Sequence, residues 1–141
     1  MYVIRFKKIP EDIYKRIDRL PDLFLKDNNI LFAYLFGGLA RDKRKPLSDV
    51  DLGIYVKNSK RLNFLSLFRN ISQILGTDEI DLVVLNSAPI SLAGRILKNK
   101  KILIDKDPFL RHQYESLIMR KYFDFTLKEN EILHRRYGLG R

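Results

Sequence analysis

The feature that most constrains the fold of this chain is the way one apolar run breaks off and the next begins. Ile30 to Phe36 is almost entirely apolar and β-prone, and Val50 to Val56 reads as a second strand. The connection between them opens on a glycine pair, Gly37-Gly38, and closes on Ser48-Asp49-Val50-Asp51-Leu52. Side chains alternate along a strand, so Asp49 and Asp51 point the same way. Neighbouring carboxylates repel each other unless a cation or a proton sits between them, and a divalent metal meets that need most simply. Paired glycines let the backbone turn sharply and approach a ligand without Cβ obstruction. A short helix over Leu39 to Asp42 would aim free amides at the same space, where they could hold a phosphate.

The spacing resembles the signature of the DNA polymerase β-type nucleotidyltransferases: Gly-Ser, a short spacer, then Ser/Gly-Asp-x-Asp-Leu. Within that superfamily the chain is similar to the minimal nucleotidyltransferase (MNT) antitoxins of HEPN/MNT toxin-antitoxin pairs, and the resemblance extends through Asp81 to the C-terminal helix. Gly38 stands where the family usually has Ser, and Asp42 where it often has Gly. The resemblance implies an α/β chain of the minimal nucleotidyltransferase fold, a small mixed β-sheet flanked by helices with a C-terminal helix. It implies Asp49, Asp51 and Asp81 as catalytic residues and Mg²⁺ ligands, with Gly37, Gly38, Arg41 and Ser48 binding the nucleotide. It further implies ATP as co-substrate and a HEPN RNase toxin as partner. A type VII-like antitoxin of this kind transfers AMP to a tyrosine of the toxin and silences it. The alternative is an antitoxin of the same fold, catalytically weak or inactive, that neutralises its toxin by binding alone.

Charge bounds the partners. Lys and Arg number 27 against 17 Asp and Glu, a formal net charge of +10, which favours anionic partners. Apart from a cluster at Arg41, Lys43, Arg44 and Lys45 the basic residues are scattered, and no recognition motif is visible. Both observations argue against direct nucleic-acid binding. There are no cysteines, so disulfides and thiolate metal sites are excluded. Nowhere do about twenty uninterrupted apolar residues occur, so a membrane span is not expected and a cytoplasmic protein is the default. At 141 residues the chain suits a single domain, 1–141, without the added helical domain that transfer to a small molecule usually needs.

Elsewhere the pattern is helical or extended by turns. Val3 to Phe6 reads as a short strand or a lead-in, and Ile13, Ile17, Leu20 and Phe24 form a helical face that Pro21 should kink or divide. Ser59 is the expected cap of a helix through Leu62, Leu65, Phe68, Ile71 and Leu75, ending near Gly76. Glu79 to Leu85 is the next strand. Asp81 within it is flanked by branched apolar residues, where a buried carboxylate would need a cation or another partner. Ile90, Ala93, Ile96 and Leu97 line a further helix, Lys101 to Asp105 forms a last strand, and Asp107-Pro108 opens the final helix, with Leu110, Tyr114, Leu117, Ile118 and Phe125 packing inward and Gly138 at its end.

Overall fold

The computed structural model describes residues 9–41 and 49–138. The strand or lead-in expected at Val3 to Phe6, together with Asp42, the basic loop at Lys43, Arg44 and Lys45, and Ser48, lies outside the described residues.

The first helical face is divided in two, as α1 (Ile13–Ile17) and α2 (Leu20–Lys26), because Pro21 lacks an amide and is tolerated only in the opening turn of α2. Strand β1 (Ile30–Phe36), the short helix α3 (Gly37–Ala40) and strand β2 (Val50–Val56) follow. The chain continues through α4 (Phe64–Leu75), β3 (Ile80–Val84), α5 (Ile90–Lys98), β4 (Lys101–Asp105) and α6 (Pro108–Tyr137). The strands form one mixed sheet in the order β3-β2-β1-β4, with β2 and β3 parallel and the other pairs antiparallel.

Helices cover both faces of this sheet, which explains why β1 is apolar throughout instead of alternating. Ala33 and Leu35 of β1 join Val50, Leu52, Ile54 and Val56 of β2 against α1, α2 and α4. Phe32 and Tyr34 face the other way, towards Ile96 of α5 and Ile118 of α6. Phe32 stacks on Tyr55 with ring centres 4.7 Å apart.

The two longest helices differ in detail from the sequence expectation. Ser59 starts a separate 3-10 turn, and extended backbone at Leu62 separates that turn from α4. The cap of α4 is Asn63, whose side chain accepts the Ser66 amide at 3.0 Å. The buried face accordingly runs through Leu67, Ile71 and Leu75, and Leu65 points to solvent. In α6, Ile118 is buried whereas Leu117 and Phe125 remain partly exposed.

Polar contacts fasten the first half of α6. Asp107 caps it by accepting the Leu110 amide at 3.0 Å. The Arg111 guanidinium donates to Asp105 at 2.7 Å and to Glu115 at 3.1 Å, and the Tyr34 hydroxyl donates to Glu115 at 2.6 Å. Further along, Gly94 of α5 lies so close to Tyr122 of α6 that a Cβ there would run into the ring. Among the described residues no helix is long and apolar enough to cross a membrane.

Candidate active site

The site forms where β1 ends and β2 and β3 begin. β1 is antiparallel to β2, so its last residue, Phe36, lies opposite Asp51 near the start of β2. The chain must leave the sheet there at once. Gly37 does this with a φ of +71°, a conformation that L side chains rarely adopt. Space makes the same demand, because a Cβ on Gly37 would collide with the Asp51 carboxylate. The glycine therefore seats a bare backbone directly against the acid. Leu39, 1% exposed, anchors the turn in the core, and the Arg41 amide donates to the Gly38 carbonyl at 3.2 Å to close it. The helix at this turn starts at Gly37, two residues before the expected start at Leu39.

β3 supplies the third acid. Its parallel register pairs Asp51 with Asp81, so both side chains leave the same face, on strands about 4.8 Å apart. Val50, Leu52 and Leu82 on either side of these acids point into the opposite core layer. The two predicted strands thus bring Asp51 and Asp81 together, with Asp49 just ahead of β2.

Burial falls differently among the three than the sequence suggests. Asp81 is exposed, because β3 is an edge strand and its beginning is not covered. The acid that bears the desolvation is Asp51, half-buried beside Gly37. Burial, then the charge of Asp81, then that of Asp49 raise its carboxyl to about 6. Asp51 thus sits in the field of both neighbouring carboxylates.

Among the described residues, no three acidic or histidine side chains come close enough to hold a cation alone. The chemistry of the donors nevertheless fits Mg²⁺, which binds through one or two carboxylates and takes its remaining oxygens from substrate phosphates and water. Asp51 has uncompensated negative charge around it, and its donors are hard oxygens.

Sequence reasoning missed the other side of Gly37. A cavity of about 340 Å³ opens there, between the α3 turn and the last turns of α5, and Arg41, Arg95, Lys98, Asn99 and Tyr122 contribute to its lining. Arg95 and Lys98 read as the solvated face of an amphipathic helix, and nothing local in the sequence says which loop that face will meet.

Comparisons with known proteins bear on the fold and the family. No curated protein sequence matches the chain significantly. Among solved structures, a chain of a toxin-antitoxin crystallised with AMP-PNP superposes with a TM-score of 0.69 at 20% identity, covering 84% of this chain and 96% of that one. A chain from the complex of tri-AMPylated Shewanella oneidensis HEPN toxin with MNT antitoxin gives 0.66 at 17% identity, covering 86% and 96%. A third, from the toxin-antitoxin MntA-HepT, gives 0.57 at 19% identity, covering 86% and 93%. The sequence model of the family described as Polymerase beta, Nucleotidyltransferase matches residues 19–109, which span the glycine turn and all three aspartates. The chain belongs to the polymerase β nucleotidyltransferase family.

Proposed function

We propose that this chain is the antitoxin of a HEPN/MNT pair and transfers AMP from ATP to a tyrosine of its HEPN toxin. The observation that carries the reading is the half-buried Asp51, set against the backbone of Gly37 and next to Asp81 on one sheet face. Its context is the family membership and the fold shared with chains of complexes that contain AMP-PNP or an AMPylated toxin.

In the proposed step the tyrosine oxygen attacks the α-phosphorus of ATP, the bond from that phosphorus to the bridging oxygen breaks, and pyrophosphate leaves. The phenolic proton passes to the Asp81 carboxylate and then to water. Asp49, Asp51 and Asp81 would share Mg²⁺ with the substrate phosphates and water, and the ion would supply charge neutralisation on the phosphates and lower the pKa of the attacking hydroxyl. Gly37 and Gly38 present backbone to the phosphates, and Arg41 and Ser48 complete the nucleotide contacts. The exposure of Asp81 on the edge strand suits an acceptor as large as a folded protein.

The test is intact-mass spectrometry of the HEPN protein encoded beside this chain, after incubation with the chain, ATP and Mg²⁺. A gain of adenylyl mass that disappears in Asp49→Asn/Asp51→Asn supports transfer. A tight complex with no gain would instead leave the contact-only antitoxin, and Gly38→Ser would be the reversion to try.

A further inference from the structure

We propose that Arg95 and Lys98 of α5, which line the cavity beside Gly37, are the principal cations that hold the β and γ phosphates of the donor and the departing pyrophosphate. The inference rests on the transfer reading above for its place in the reaction, and on the cavity itself for its ligand chemistry.

Position supplies the first argument. On the face shared by Asp51 and Phe36, the strand order sets Asp81 on β3, Asp51 on β2 and Gly37 at the end of β1. The cavity lies next, reaching to Asn99, just before β4. Displacement at phosphorus requires the attacking and leaving oxygens to be in line. With the acceptor at Asp81, the leaving group must depart past Gly37, which is towards α5.

Charge supplies the second. Arg41, Arg95 and Lys98 converge on this cavity, and no acidic residue lines it among the described residues. None of the three takes part in the ion pairs formed among the described residues, in contrast to Arg16, Lys100 and Arg111. Arg95 uses Nε to donate to the Ser91 carbonyl at 3.2 Å, which holds the side chain along the helix and leaves both Nη groups for a ligand. Lys98 Nζ lies 4.7 Å from the centre of the Tyr122 ring, whose face steadies an ammonium group. The Tyr122 ring is in turn seated by the missing side chain of Gly94. These are positioned cations with capacity left over, and a pyrophosphate group is the anion that matches them.

The test is calorimetry on the full chain with Mg²⁺, using inorganic pyrophosphate, ATP and AMP as separate probes. Arg95 and Lys98 are exposed, so Arg95→Gln/Lys98→Gln removes charge without opening the core. Each lost charged contact weakens binding by roughly tenfold, so the double variant is expected to lose about a hundredfold for pyrophosphate and for ATP. AMP affinity should stay within about twofold, and so should all three affinities in the control Lys57→Gln/Lys60→Gln, which removes equal charge at the other end of β2. Unchanged pyrophosphate binding in the Arg95/Lys98 variant, or a parallel loss of AMP, would overturn the proposal. If that variant loses pyrophosphate while the wild-type chain transfers no AMP, the subsite stands and the transfer reading falls. If AMP transfer proceeds in it at the wild-type KM for ATP, the subsite falls and transfer stands.

Discussion

Replacing Gly37 with Ala should do two separable kinds of damage. The first is conformational: φ is +71°, and an L residue held in the left-handed region costs about 1–2 kcal/mol. The second is steric, because the new methyl would overlap the Asp51 carboxylate. Relieving that overlap by shifting the turn or the acid costs about 1–3 kcal/mol more, the usual range for overpacking. Gly76→Ala is the matched control. Its φ is +70°, but its Cβ would meet Arg16 Nη1 at 2.6 Å, the far end of a flexible side chain that can swing aside. Urea unfolding should therefore show Gly37→Ala less stable than Gly76→Ala by about 1–3 kcal/mol, or roughly 3–10 °C in Tm. AMP transfer should collapse in the first and persist in the second. Equal stability of the two variants with full transfer by Gly37→Ala would refute the idea that a bare backbone is what seats Asp51.

Asp51→Asn should stabilise the metal-free chain at pH 7–8. Because the folded carboxyl titrates near 6, above its unfolded value of 3.8, the folded state binds more protons between those values and stability falls as pH rises through them. The gain in Tm from the substitution should be largest above about pH 6 and fade below about pH 4, and a pH-independent gain would contradict it. Arg111→Met should cost about 2–4 kcal/mol in chemical denaturation, since it strands the part-buried Asp105 carboxylate, whose Oδ1 has no hydrogen-bond partner as it is, and leaves Glu115 only Tyr34 and Lys100. Gly94→Ala should displace Tyr122, lowering stability by about 1–3 kcal/mol and raising the KM for ATP, and unchanged values for both would show that α5 and α6 can part without consequence.

Much of this architecture is legible in the chain because the relevant signals are local. β1 and β4 begin and end at the residues where apolar runs meet turn formers, and the division of the first helix follows directly from Pro21. The likeness of Asp49, Asp51 and Asp81 to a known spacing also identifies the acids as a group. What the chain does not reveal is which acid is enclosed. Asp81 has the more apolar neighbours in sequence, but burial depends on strand order, and β3 lies at an edge while β2 lies inside. The cap at Asn63 is hidden for a related reason, since a 3-10 turn at Ser59 mimics a helix start only four residues earlier. Arg95 and Lys98 are invisible as site residues because only the tertiary fold carries α5 to the glycine turn.

The open edge at β3 makes the candidate site lopsided. On the side of Gly37 the chain supplies its own enclosure, with α3 below and α5 and Tyr122 around the cavity. Beside Asp81 the sheet simply stops, and water reaches the carboxylate. For the proposed transfer, such a molecule is half of a reaction chamber. A protein docked against that edge would bring the missing wall together with its own hydroxyl, so that recognition and exclusion of water become one event. Under the proposed transfer, activation by the acceptor follows from the topology, and a free hydroxyl compound that cannot close the edge should be adenylylated slowly however well it fits the acid.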